Sequence, residues 1–358
     1  MNRLREIDFL RGIAIILVLF RHHRCFEPLH DAGWIGVDLF FVLSGYLVSK
    51  LLFKEYIANS EIKPFKFLLR RGFKIYPLFY SCILLTIFIN YFFGDYLGID
   101  NLKFEKIAAE VFFVQNYYEG LWAHTWSLAI EEHFYIGLVC IILFFIKLNA
   151  LKKLIVPFCI LIFFGCLGLR IANFHYNAYG HYSHLFPTHL RIDSLLFGVL
   201  LSYFHCFKEN YFIQFFSKHR RFKYALSTIL ISTPFFFKID SFFMNTFGLT
   251  FIYIGFGIIL SMFITDPQIN KKLNRLMSEK LVKYISLIGV YSYGIYLFHM
   301  FTIKYFYTIL FKLEITFYYR IEFVIYFFIS IFLGVFMSKT IEKPFLNLRE
   351  KISPRITP

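Results

Sequence analysis

The amino-acid sequence predicts an all-α, polytopic integral membrane helical bundle of about ten transmembrane helices with both termini cytoplasmic. Three observations carry this. The 358 residues are 58% hydrophobic with a mean hydropathy of +0.60, more apolar than a water-facing surface allows. Fifty-one Phe and 25 Tyr against a charged fraction of 17% suit lipid-facing helices with aromatic ends at the interfaces. The basic residues recur between apolar stretches, on alternate sides of the expected membrane.

Ten apolar stretches lie near residues 7–24, 34–53, 74–93, 126–146, 153–171, 189–206, 224–238, 246–264, 285–310 and 319–338. Several fall short of the ~20 residues that a perpendicular span prefers. The run Ile107 to Val114 is shorter still and reads as interfacial or re-entrant. Inner segments hold Arg3 and Arg5, then Lys54, Lys63, Lys66, Arg70, Arg71 and Lys74, then Lys147, Lys152 and Lys153. Lys208, Lys218, Arg220, Arg221 and Lys223 follow, then Lys271, Lys272, Arg275, Lys280 and Lys283, and finally Lys339, Lys343, Arg349, Lys351 and Arg355. The outer segment 172–188 has no Lys or Arg. This alternation sets the orientation of a multi-pass chain, with both termini cytoplasmic.

The first apolar run ends in RHHRCFEP without a small-residue cleavage site, so it reads as an uncleaved span. The six cysteines lie singly with no CxxC pair and read as small core hydrophobes. The net charge of +15 is spread along the chain, and no nucleic-acid partner is expected. One transmembrane domain is expected over residues 1–345 with a short cytoplasmic tail over 346–358. No internal repeat of the kind that builds inverted-repeat transporters is visible.

Ionisable groups inside such a bundle are few, and each marks a candidate site. The first span, DFLRGIAIILVLFRHH, carries Asp8, Arg11 and His22. Arg11 and His22 are eleven residues apart, three helical turns to within about 20°, and so share a face about 16 Å apart along the axis. His22 exchanges a proton near neutral pH without a large pKa shift, which makes it the natural general base. Glu131, one turn after Ser127 and one turn before Tyr135, is the carboxylate expected to orient it, and Glu132 points about 100° away. Ser44, Trp126 and His299 are supporting residues. Arg191 and Asp193 are read as a structural ion pair. Arg70, Arg71 and Lys74 form a cationic cluster suited to the phosphates of an anionic donor. His175, His181, His184 and His189 crowd one outer segment, but no Cys or Glu completes a ligand set, and no metal is expected.

These pieces together resemble the acyltransferase family 3 membrane proteins, O-acyltransferases of bacterial surface glycans. The pieces are REIDFLRGIAIILVLFRHH, GWIGVDLFFVLSGYLVS, FLLRRGFKIYPLFY, TWSLAIEEHFYIG, LRIDSLLFGVLLS, YSYGIYLFH and IEKPF, in family order from end to end. The resemblance implies a ten-span domain that takes an acyl group, usually acetyl from acetyl-CoA, at the cytoplasmic side and delivers it to a hydroxyl of an extracytoplasmic carbohydrate, such as O-antigen or exopolysaccharide. It implies that Arg11 and His22 are essential and that Arg71 and Lys74 help hold the acyl-CoA. Lys74 and Lys343 stand where arginine is more usual, and His133 where glutamine is common. Some relatives carry an extracytoplasmic hydrolase-like domain. None follows here, so direct transfer, or hand-over to a separate extracytoplasmic acyl-accepting protein, is expected.

Two readings of the buried charges compete with catalysis. In a membrane transporter they would line a substrate or proton path, and in an acyl-sensing protein they would bind without turnover.

Overall fold

A computed structural model describes residues 4–99 and 101–354. Arg3 and Arg355, counted above among the inner cations, lie outside the described residues. Seventeen α-helices are found among the described residues, and no strand. They are α1 Arg5–Arg21, α2 Glu27–Ala32, α3 Ile35–Asn59, α4 Pro64–Leu97, α5 Phe104–Val111 and α6 Trp126–Lys147. Then come α7 Leu151–Tyr176, α8 Thr188–Phe207, α9 Glu209–Ser217, α10 Arg220–Ile231, α11 Leu249–Ile264 and α12 Ile269–Met277. The last are α13 Glu279–Val290, α14 Ser292–Phe301, α15 Tyr307–Lys312, α16 Tyr319–Met337 and α17 Lys343–Ile352.

Among the described residues, seven helices are long and apolar enough to cross a membrane, or eight if Glu279–Val290 and Ser292–Lys312 count as one broken span. These eight match eight of the ten apolar stretches. The other two stretches form α1, with 17 residues, and α10, with 12. Both are shorter than the ~20 residues that cross a bilayer without help.

The sequence punctuates α4 at both ends. Pro64 occupies its first turn, where the missing N–H costs nothing, and Gly98 closes it with φ +65°. Its 34 residues extend about 51 Å, well beyond a hydrocarbon core of about 30 Å. The helix therefore begins ten residues before the apolar stretch at Lys74 and carries Arg70 and Arg71 as well, rather than leaving them in a loop.

The chain divides into two compact units. The first comprises the described residues of Met1–Val18, Asp31–Ile62 and Ile130–Gly289, and the second those of Leu19–His30, Lys63–Ala129 and Val290–Pro358. In the first, α3 lies deepest: 78% of its apolar window is buried, against 22% for α7. Ile7, Leu10 and Ala14 of α1 join Leu39, Val42 and Tyr46 of α3 and Ile252, Phe256 and Leu260 of α11 in one apolar core. In the second unit, aromatic rings make the core. Trp122 stacks on Phe301 at 4.8 Å between centroids, Phe79 stacks on Phe113 at 4.4 Å, and Trp122 Nε1–H donates to Thr86 Oγ1 at 2.9 Å.

Glycines bring α3 and α8 together backbone to backbone. A Cβ on Gly45 would lie 1.9 Å from the Leu195 carbonyl oxygen, and one on Gly198 would lie 2.4 Å from that of Val42. With no hydrophobic force between helices in lipid, such close approach is what holds them. Gly45→Val should therefore destabilise the protein by about 1–3 kcal/mol or more. Gly137→Val, whose Cβ meets nothing within 4 Å, serves as the control for helix propensity. Thermal unfolding in detergent checks this: the account expects a drop for Gly45→Val alone, and equal melting of the two variants contradicts it.

Candidate active site

His22 lies just past the end of α1, because the helix stops at Arg21. Its ring meets that of His299 on α14 with 4.9 Å between centroids, and the His299 ring meets that of His124 at 4.8 Å. All three belong to the second unit. His299 is fully buried, His124 nearly so, and His22 is half-buried. The neighbouring His23 turns elsewhere, against Tyr326 and Phe323. Among the described residues, no three His, Cys, Asp or Glu side chains are placed to hold a metal ion.

His124 was not singled out from the sequence, because the loop that carries it has no periodicity to read. The loop is fixed by buried polar groups. Glu110 of α5 accepts the Leu121 N–H at 3.0 Å, and Gln115 Nε2–H donates to the Thr125 carbonyl at 3.1 Å. Tyr296 Oη–H donates to the His124 carbonyl and lies 2.6 Å from Ser127 Oγ. Burial pushes the Glu110 carboxyl up to about 7, against the pull of hydrogen bonds from Thr125 and from the Leu121 and Trp122 amides.

The cationic cluster belongs to the same unit. Arg70 and Lys74 are one turn apart on one face of α4. Arg70 pairs with Glu350 of α17 at 2.8 Å and also donates to the Ser353 carbonyl, and Lys74 pairs with Glu342. Arg71 faces the Phe67 ring, with 5.6 Å from its Cζ to the centroid. Sequence reading treated Glu342 only as part of IEKPF and gave Glu350 no role; their opposite charge to the α4 cations was the available signal.

α14 links the two clusters. At its start, Tyr293 Oη–H donates to the Ile75 carbonyl at 2.8 Å, and Lys74 Nζ lies 5.9 Å from the Tyr293 ring centroid. His299 follows six residues later, about 9 Å along the helix at 1.5 Å per residue.

In the first unit, Glu131 accepts hydrogen bonds from Ser44 Oγ at 3.3 Å and from Tyr135 Oη, and Ser44 Oγ lies 2.8 Å from Tyr135 Oη. The expected one-turn spacing of Glu131 and Tyr135 thus produces a contact. Asp8 is buried on α1, and Arg11 on the same helix is half-buried. Trp126, half-buried, opens α6 in the second unit. Arg191 and Asp193, expected to pair with each other, each form an ion pair with a neighbouring helix. Arg191 pairs with Asp38 of α3 at 2.6 Å, and Asp193 pairs with Arg170 of α7 at 2.8 Å. Residues two apart on a helix project about 200° apart, so each reaches a different neighbouring helix. Arg170 also donates to Thr250 Oγ1 at 2.8 Å, and all four charged side chains are at most 2% exposed. Asp38 stands in the GWIGVDLFFVLSGYLVS piece as a lone charge within an apolar run, which was the sign that could have found it.

Long apolar helices enclosing paired charges, with a cationic helix end and an imidazole cluster, define a multi-pass membrane protein with a buried polar site. The chain belongs to acyltransferase family 3, whose acyltransferase domain matches residues 4–339. It is 30% identical over 316 residues to the peptidoglycan O-acetyltransferase OatA of Listeria monocytogenes, a match covering 82% of this chain and 48% of that protein. It is 32% identical over 212 residues to the O-acetyltransferase OatA of Staphylococcus aureus, covering 55% of this chain and 34% of that protein. The chain thus spans half or less of the length of these curated relatives. No solved structure matches.

The raised Glu110 carboxyl has a consequence for stability. Between its ordinary value near 4.5 and about 7, the folded protein holds a proton that the unfolded chain has released. Its contribution is therefore fully present at acid pH and is lost as pH rises through about 7. Thermal unfolding in detergent should weaken from pH 5 to 8 by an amount on the order of 1–3 kcal/mol. Glu110→Gln should flatten that decline; an unchanged slope in the variant contradicts the assignment.

Proposed function

We propose that the chain is a membrane O-acyltransferase of the bacterial cytoplasmic membrane. It moves an acyl group, acetyl in the first instance, from cytoplasmic acyl-CoA to a hydroxyl of an extracytoplasmic carbohydrate. The observation that supports this most is the position of His22: a half-buried imidazole against the buried His299, which itself meets the buried His124, in the same unit as the cations of α4. The name of the Listeria relative makes peptidoglycan the first acceptor to try, ahead of O-antigen and exopolysaccharide. We read α1 and α10 as spans as well, which gives ten crossings in one transmembrane domain to residue 345, with the residues before the first crossing and after the last on the cytoplasmic side.

In this reading Arg70, Arg71 and Lys74 hold the donor's phosphates, which guanidiniums match in a bidentate manner and a lysine matches as a point charge. Glu350 and Glu342 keep Arg70 and Lys74 paired until the donor's phosphates take over their charges. His22 removes the proton of the attacking hydroxyl as its oxygen bonds to the thioester carbonyl carbon. The carbon–sulfur bond then breaks, and the imidazolium returns its proton to the leaving thiolate. The same neutral ring can instead attack first and carry the acyl group as an acyl-imidazole. Arg11 compensates negative charge on the donor phosphate or on the developing oxyanion. The Glu131 carboxylate is held by Ser44 and Tyr135, and with Asp8, Trp126, Arg191 and Asp193 it shapes the surroundings.

Proteoliposomes given acetyl-CoA and a carbohydrate acceptor test this through release of free CoA thiol and the mass of the acceptor. Replacing His22 by Ala should reduce both by at least about 10²-fold while membrane insertion is unchanged. Acceptor acylation by His22→Ala at the wild-type rate would remove His22 from the mechanism. Uptake of solute without thiol release would favour a transporter.

A further inference from the structure

The ring that lies against His22 is committed at one nitrogen and bare at the other. His299 Nδ1 lies 2.6 Å from the Tyr296 carbonyl oxygen. A carbonyl oxygen only accepts, so Nδ1 carries the hydrogen, and the neutral ring presents Nε2 as a lone pair. That Nε2 is buried and has no hydrogen-bond partner among the described residues. His124 repeats the pattern with its nitrogens exchanged. Its Nε2 lies 3.2 Å from the Leu297 carbonyl oxygen, which leaves Nδ1 as the lone pair, buried and likewise without a partner. Two lone pairs cannot hydrogen-bond to each other, so the edge-on contact between these rings satisfies neither nitrogen. The third ring, His22, also touches His299, tilted by 52°, and a neutral imidazole always has one N–H to give.

We propose that His299 is a positioning residue for His22. Its Nε2 accepts the N–H of His22 and so holds His22 in the tautomer whose other nitrogen presents a lone pair to the acceptor hydroxyl. The logic is that of a base oriented by a third group, here an imidazole with one nitrogen anchored on its own helix. A rotation of the half-buried His22 ring as substrate binds closes the hydrogen bond, in keeping with catalytic contacts that tighten only in the complex. The proton inventory of acyl transfer is unchanged: the hydroxyl proton passes to His22 and then to the thiolate, while the N–H shared with His299 stays on His22. The proposal rests on the reading of His22 as the base and adds the residue that orients it.

Two amide variants separate positioning from mere support. His299→Asn keeps a donor where Nδ1 donates to Tyr296 but has nothing at the Nε2 position. His299→Gln places an acceptor oxygen near the Nε2 position and gives up the Tyr296 bond. The readout is CoA-thiol release at saturating acetyl-CoA and acceptor, together with KM for each. Asn should lower kcat on the order of 10- to 100-fold, a part of the 10²–10⁴ that a positioned base supplies, with both KM values within about two-fold of wild type. Gln should recover most of that loss. Full activity in the Asn variant, or a Gln variant as slow as Asn, overturns the proposal. Should either variant fail to fold, the ¹⁵N shifts of His22 in the histidine-labelled wild-type protein, bound to a thioether analogue of acetyl-CoA, decide instead. One tautomer is expected, and an even mixture overturns the proposal. If His22→Ala is inactive while His299→Asn is fully active, the base assignment stands and the positioning role falls; if His22→Ala is active, the base assignment itself falls.

Discussion

A polar group taken out of water and into a largely apolar interior is costly unless it finds a partner, and this protein's organisation follows from which groups do so. In the first unit the buried charges meet in opposite-sign pairs across helices, Arg191 with Asp38 and Arg170 with Asp193. Gly45 and Gly198 lie two turns beyond Asp38 and Arg191 on the same pair of helices, so the backbone approach and the ion pair fix one register between α3 and α8. Such pairs are costly to break and give little net stability; their yield is a unique arrangement of the helices.

The second unit handles its buried groups differently. Trp122, Thr86, Asn90 and Tyr305 form a hydrogen-bonded set, with Trp122 edge-on to Tyr305 and stacked on Phe301 at the end of α14. Beside it, two imidazole nitrogens are left bare in the interior. A ring needed only for packing would be filled as well by phenylalanine, without leaving a lone pair unanswered. The α4 cations follow the other rule: Glu350 and Glu342 of the C-terminal segment pair with Arg70 and Lys74 and compensate their charges.

Much of this was legible in the residues, and the exceptions have physical causes. Eight of the ten apolar stretches appear as helices or a broken helix of spanning length, because burial in lipid imposes a composition that a local window detects. The shorter α1 and α10 stop before a spanning length, because helix length depends on where the chain turns. Arg70 and Arg71 were placed in a connecting segment because charge was read as a boundary, whereas arginine is a good helix former and α4 simply continues through them. The importance of Arg191 and Asp193 could be seen, but not their partners, since Asp38 and Arg170 are distant in sequence. His299 was marked as supporting. His124 was missed because only tertiary contacts, through Leu297 and Tyr296, give it a position.

The central claim is that the thioester of an acyl-CoA comes to rest against the His22 imidazole. An experimental structure of the protein in lipid nanodiscs, with a thioether analogue of acetyl-CoA bound, measures this directly. The account predicts the analogue's sulfur and carbonyl within about 4 Å of the His22 ring, with its phosphates at Arg70, Arg71 and Lys74. A reactive end lodged beside other residues, with the His22 ring turned away from it, would contradict the account.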